Sequence, residues 1–136
     1  IEKFPLKKAY YSPLNFSEQL KIKKNIFINL HSSKWESKLE ISDFFSITKY
    51  AEDLNDFNHE FYYDLIYFDA FSPEKQPELW TEKNFKKLYD NLNYNGILIT
   101  YCAKGLIKRT LKKVGFKIYS FPGPKGKREI TQARKI

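Results

Sequence analysis

The chain has 136 residues, is 42% hydrophobic and carries a net charge of +8. Its length and apolar content support one domain with a real core and exclude a disordered tail. One cysteine, Cys102, and two histidines, His31 and His59, exclude an internal disulfide, a cysteine-based zinc site and a multi-histidine metal centre, so no metal is expected. No apolar run approaches the ~20 residues of a membrane helix and no secretory leader is visible, which predicts an intracellular, cytoplasmic protein with no membrane partner. The basic balance, with pI near 9.4, suits a polyanion such as RNA or a generic lysine-rich surface. Aromatic residues, at 18%, suit base stacking or plain core filling. The chain holds no Met and opens on Ile1, which predicts that further sequence precedes it.

In chain order, Ile1-Glu2-Lys3-Phe4-Pro5-Leu6 reads as the tail of a strand broken by Pro5, with Glu2 where the strand ends. Ser12-Pro13 reads as an N-cap and first-turn proline, opening a helix past Leu14 and Leu20. Residues 26–35 are helical or irregular, because periodicity does not separate helix from strand here. Residues 39–41 and 44–50 read as two strand-like pieces joined at Ser42-Asp43, followed by the acids Glu52 and Asp53. Residues 55–59 form a polar turn.

Residues 63–68 read as a buried strand. Leu65-Ile66-Tyr67-Phe68 is a continuous apolar run of the kind found where helices cover both faces of a sheet. Asp69 follows at the strand's carboxyl end, the edge where open α/β sheets bind ligands. Pro73 and Pro77 stiffen the next loop, and a helix begins near Pro77. Leu79, Phe85, Leu88 and Leu92 share one face of that helix. Residues 93–96 read as its stop, with Gly96 in the left-handed conformation. Residues 97–101 form a second buried strand, 106–114 a short basic helix ended by Gly115, and 116–121 a third strand. Residues 127–134 return as a last, antiparallel edge strand. Strands alternating with helices predict a mostly parallel α/β sheet with a C-terminal antiparallel hairpin.

The run Asp69-Ala70-Phe71-Ser72-Pro73-Glu74-Lys75-Gln76-Pro77-Glu78-Leu79-Trp80-Thr81 resembles the signature loop of the tRNA 5-methylaminomethyl-2-thiouridine methyltransferases, the MnmC-type methyltransferase domain. Ile1 to Leu6 is similar to the end of that family's second strand. Thr100-Tyr101-Cys102-Ala103-Lys104-Gly105, with Lys108-Arg109-Thr110-Leu111 and Gly115-Phe116, resembles its fifth strand and next helix. Gly123-Pro124-Lys125-Gly126-Lys127-Arg128-Glu129 resembles its C-terminal signature. The resemblance covers nearly the whole chain.

It implies a partial Rossmann-like class I fold, S-adenosyl-L-methionine as cofactor, and tRNA as partner. The implied reaction is methylation of the aminomethyl group of 5-aminomethyl-2-thiouridine at the wobble position. The family's glycine-rich loop is expected before Ile1, so that residues 1–136 are the C-terminal part of one methyltransferase domain in its stand-alone form. Without that loop these residues are expected to bind cofactor poorly. Carried over, Glu2 matches the acid that binds the cofactor's ribose hydroxyls. Asp53 matches, less closely, an acid near the adenine, because Glu52 stands where a glycine often precedes it. Asp69 matches the acid facing the cofactor's methionine and the substrate amine; it accepts from, orients and deprotonates that amine, or else caps its own loop.

Phe71 and Trp80 shape a nucleoside pocket or pack the loop. Lys75 meets tRNA phosphate or stays solvated. Lys108, Arg109, Lys112, Lys113, Lys125, Lys127 and Arg128 form a basic final third suited to the tRNA backbone. Arg128-Glu129 is alternatively an internal ion pair, Tyr101 borders the pocket or packs in the core, and Cys102 is structural. The rival readings are a methyltransferase of this fold acting on another amine, and a non-catalytic RNA-binding module.

Overall fold

Short helices separated by turn residues, then a hairpin, build the first part of the chain. The structure is a computed structural model that describes residues 1–58, 60–126 and 128–136. The chain divides into two units, Ile1–Phe57 and Asn58–Ile136.

In the first unit, α1 spans Lys8–Tyr11, α2 Phe16–Gln19 and α3 Lys24–Ser32. The stretch 26–35, ambiguous by periodicity, is therefore helical over most of its length. Ser12 and Pro13 do not open a helix. Ser12 caps the end of α1, its N–H donating to Lys8 O at 3.0 Å, and Asn15 stands at the start of α2. Leu14 and Leu20 are exposed, so no continuous apolar stripe supports the longer helix expected there. Tyr11 and Phe27 are buried instead, their rings 4.6 and 4.7 Å from that of His31.

Strands β1 (Lys38–Ser42) and β2 (Phe45–Thr48) pair antiparallel, in agreement with the two strand-like pieces. Ile1 to Leu6 is not a strand. Its residues take up bends and irregular backbone, with Glu2 N donating to Tyr50 O, after β2, at 2.9 Å.

The second unit contains β3 (Tyr63–Tyr67), a 3₁₀ turn (Pro77–Leu79), α4 (Glu82–Asp90), β4 (Leu92–Thr100), α5 (Gly105–Val114), β5 (Lys117–Pro122) and β6 (Glu129–Arg134). The sheet order is β3-β4-β6-β5. β3 and β4 are parallel, and β6 is antiparallel to both β4 and β5. Three strands thus run one way and β6 alone runs the other. The expected hairpin is present, but β6 is not an edge strand. It inserts between β4 and β5, where Thr131 and Ala133 are fully buried.

Leu98 and Thr100 of β4 sit opposite Ala133 and Thr131 of β6. With Phe85, Leu88, Ile107 and Leu111 they form the helix-facing core. The continuous apolar run of β3 is not covered on both faces. Phe68, just beyond the strand, is buried, whereas Tyr67 is 74% exposed and Leu65 is 40% exposed. Strand geometry sends these neighbours to opposite faces, and α4 and α5 lie side by side, bridged by Lys113–Glu82 at 2.7 Å.

Pro77 opens the 3₁₀ turn, and α4 proper starts after Thr81, whose hydroxyl accepts from Asn84 N at 3.2 Å. Asn84, fully buried, donates from its amide to Glu78 O and Leu79 O and joins turn to helix. The segment 93–96 does not stop α4, which ends at Asp90; it forms an irregular start to β4. Asn95, not Gly96, takes the left-handed conformation, at φ 65°. Gly96 is needed for space: a Cβ there would sit 2.8 Å from Asn93 O and 3.1 Å from Tyr63 O. Gly96→Ala is expected to cost about 1–3 kcal/mol, because backbone rather than a flexible side chain must yield. Denaturant unfolding measures it.

Candidate active site

β3 ends at Tyr67, and Phe68 N donates to Ile99 O at 2.8 Å, so the chain leaves the sheet at Asp69. Beyond it lies a cavity of about 380 Å³, lined by Tyr67, Phe68, Asp69, Ile99, Thr100, Tyr101, Pro124 and Ile130. Its size falls in the range of roughly 300–1,000 Å³ usual for small-molecule sites. The Asp69 carboxylate is exposed, and among the described residues it makes no hydrogen bond or ion pair. It does not cap its own loop. A carboxylate standing over an apolar cavity can accept from an amine and offset the charge of a cationic group.

The loop is held in other ways. Trp80 Nε1 donates to Phe71 O at 2.7 Å, and Tyr101 Oη donates to Ala70 O at 2.8 Å. Phe71 N donates to Gln76 Oε1 at 3.3 Å, and Lys104 pairs with Glu74. Trp80 is 5% exposed and meets Phe68 edge-on at 4.9 Å and Phe85 at 6.3 Å. Of its two sequence-based roles, loop packing is the one its position supports, and it does not line the cavity. Phe71 is 72% exposed.

The loop between β5 and β6 reaches this cavity through Pro124. β5 runs parallel to β3, so the connection that follows it emerges at the same sheet edge. Pro124 falls in the stretch that resembles the family's C-terminal signature, but neither it nor Ile130 is marked by sequence as a wall of the site; the insertion of β6 brings them there. Glu129 pairs with Lys108 of α5 at 2.7 Å rather than with Arg128, and Lys108 also reaches Ser120 Oγ at 2.9 Å. The hydrogen bond from Lys108 holds the Glu129 carboxyl below its usual range. Lys127 lies outside the described residues, as does His59.

Glu2 and Asp53 both belong to the first unit. Glu2 is exposed, and its Oε1 accepts from Phe4 N at 2.9 Å. Asp53 Oδ2 pairs with Lys3 at 2.6 Å, and its Oδ1 accepts from Asn55 N and Nδ2, each at 2.8 Å. Lys3, then Asn55, lowers the Asp53 carboxyl from its ordinary value. Glu2 does not end a strand. The Glu2–Tyr50 and Lys3–Asp53 bonds nevertheless bring the two acidic segments together.

Residues 5–136 match a protein family described as S-adenosyl-L-methionine-dependent methyltransferase. The chain belongs to that family. S-adenosylmethionine is accordingly its cofactor, and the cavity chemistry fits: apolar walls suit a methyl group, and the free carboxylate suits a sulfonium or an amine. The tRNA 5-methylaminomethyl-2-thiouridine biosynthesis bifunctional protein MnmC of Campylobacter hominis is 27% identical over 98% of this chain and 20% of its own. That of Cupriavidus metallidurans is 38% identical over 52% of this chain and 11% of its own. The chain thus spans a fifth or less of these curated relatives. The crystal structure of MNMC2 from Aquifex aeolicus superimposes with a TM-score of 0.65 over 81% of this chain and 35% of that one, at 24% identity, and shows the shared fold. The MnmC-type resemblance and the partial Rossmann-like fold are both supported.

Glu129→Gln should lower the melting temperature at neutral pH. The depressed carboxyl stabilises the fold fully above its unfolded value and loses that effect as pH falls through the folded one. The difference between variant and wild type should therefore shrink as acid is added. Thermal melts across a pH series from neutral to strongly acidic check it.

Proposed function

We propose that this protein methylates the aminomethyl group of 5-aminomethyl-2-thiouridine at the tRNA wobble position. The observation that carries the reading is the exposed Asp69 carboxylate, without a hydrogen-bond or ion-pair partner among the described residues, over a cavity at the strand ends, in a chain of this methyltransferase family. The relatives named for 5-methylaminomethyl-2-thiouridine biosynthesis support the choice of substrate. Such an enzyme works where tRNA resides, in the cytoplasm.

When bound, the cofactor supplies a methyl carried on a sulfonium and needs no further activation. The chain must select the neutral amine, because an ammonium has no lone pair. It must also hold the nitrogen in line, roughly 3–3.5 Å from the methyl carbon. Asp69 accepts one amine N–H and aims the lone pair. Asp69 would then take up the proton that the methylated amine releases, or pass it to water. Glu2 and Asp53, in the first unit, would by the family resemblance hold the cofactor's ribose hydroxyls and adenine. Phe71, with its ring exposed, stacks on an unpaired base.

Some basic residues of the second unit are already paired and others are exposed. Lys104, Lys108 and Lys113 already hold Glu74, Glu129 and Glu82. Lys75, Arg109, Lys112, Lys125 and Arg128 are exposed and face tRNA phosphates in this reading, with Lys127 assigned beside them from sequence.

Full-length protein incubated with labelled cofactor and tRNA carrying the aminomethyl nucleoside should label that nucleoside. Label only in protein or metabolites rejects the proposal. Asp69→Asn should slow transfer by about 10²–10⁴ while the melting temperature holds, since the carboxylate has no structural partner. Unchanged turnover would sink the role of Asp69. Replacing Arg109 and Lys112 together by Gln should weaken tRNA binding and flatten its salt slope by about one to two units. A filter-binding titration across salt concentrations reads both, and an unaltered slope removes α5 from the interface.

A further inference from the structure

Tyr101 follows β4 directly, in the strand beside β3. Tyr67 pairs with Ile99, so the two chains reach the sheet edge together and Tyr101 comes level with the peptides after Asp69. Its ring lies edge-on to Trp80 at 6.1 Å and is partly buried. A phenylalanine ring would make the same contact. The hydroxyl is therefore the feature to explain, and it donates to Ala70 O at 2.8 Å.

That carbonyl belongs to the residue directly after Asp69. The next carbonyl, of Phe71, is held by Trp80 Nε1 at 2.7 Å. On the strand side, Phe68 N is fixed to Ile99 O at 2.8 Å. Asp69 thus sits between anchored neighbours, while its own side chain makes no hydrogen bond or ion pair among the described residues. Tyr101 and Asp69 also line the same cavity. Burial, then the nearby Cys102 and Asp69, raises the Tyr101 hydroxyl above the ordinary tyrosine value, which keeps it a donor at neutral and mildly alkaline pH.

We propose that Tyr101 is a positioning residue, whose hydrogen bond to the Ala70 carbonyl sets the rotation of the peptide beyond Asp69 and so the direction in which the carboxylate meets the amine. This rests on the reading of Asp69 as the amine-orienting group. Trp80 secures the outer part of the loop from the core, and Tyr101 fixes the part that bears on the reacting atoms. Small misplacement of a reacting group costs up to about 10² in rate, so loss of one hydroxyl should be visible in turnover before it is visible in stability.

The test is Tyr101→Phe in full-length protein, alone and combined with Asp69→Asn. Single-turnover methyl transfer, KM for cofactor and for tRNA, and melting temperature are measured together. Tyr101→Phe should cut the transfer rate by about 10–100-fold, with both KM values within about twofold. The double variant should be no slower than Asp69→Asn, because a residue acting through Asp69 has nothing left to position.

An unimpaired Tyr101→Phe rate overturns the inference. So does a double variant slowed by the product of the single effects, or a melting temperature so reduced that the bond is simply structural. Absence of tRNA methylation by the wild-type protein is a different failure: it removes the proposed function and this inference with it. An active wild type with an unimpaired Tyr101→Phe removes this inference alone.

Discussion

Trp80 is the side chain on which the region around Asp69 depends. Its ring is wedged edge-on between Phe68 and Phe85, within the core that holds α4 against the sheet. Its one polar atom emerges from that wedge to grip the Phe71 carbonyl. A buried indole N–H without a partner is costly, so burial of the ring and anchoring of the loop are one event. The loop is in this way fastened to the buried core of the second unit. Asp69 lies one residue past buried Phe68 and is itself exposed.

The insertion of β6 has a comparable reach. With β6 between β4 and β5, the last strand becomes an interior one, and Thr131 and Ala133 pack where no water enters. Thr131 meets the need this creates for its hydroxyl by donating to Cys102 O at 2.9 Å. The same insertion turns the β5–β6 connection toward the edge that carries Asp69, so Pro124 and Ile130 complete the cavity wall. Lys108 bridges α5 to Glu129 and Ser120 and steadies that connection from the helix side.

Charge in this region serves two ends. Two lysines whose sequence position suits a nucleic acid surface, Lys108 and Lys113, are engaged in ion pairs with Glu129 and Glu82. An exposed pair such as Lys113–Glu82 adds little to stability singly, but it sets where a flexible side chain rests. Lys75, Arg109, Lys112, Lys125 and Arg128 remain exposed.

Much was legible in the amino-acid sequence alone. Alternation of apolar runs with amphipathic stretches marked β3, α4, β4, α5 and the final hairpin, because those periods follow from backbone geometry. The specific string from Asp69 to Thr81 pointed to the methyltransferase family and to its strand-end carboxylate. Tertiary structure decided the rest. A run such as Leu65 to Phe68 does not reveal whether one or both faces are covered, since that depends on which side later helices pack. Gly96 looked like a left-handed stop, but close backbone approach claims it and Asn95 takes the turn. Whether a tryptophan lines a pocket or braces a loop depends on partners distant in sequence. So does the pairing of a glutamate with Lys108 instead of its neighbour Arg128. Sequence patterns report local periods and turn chemistry, whereas register, burial and hydrogen-bond partners arise only when separate segments meet.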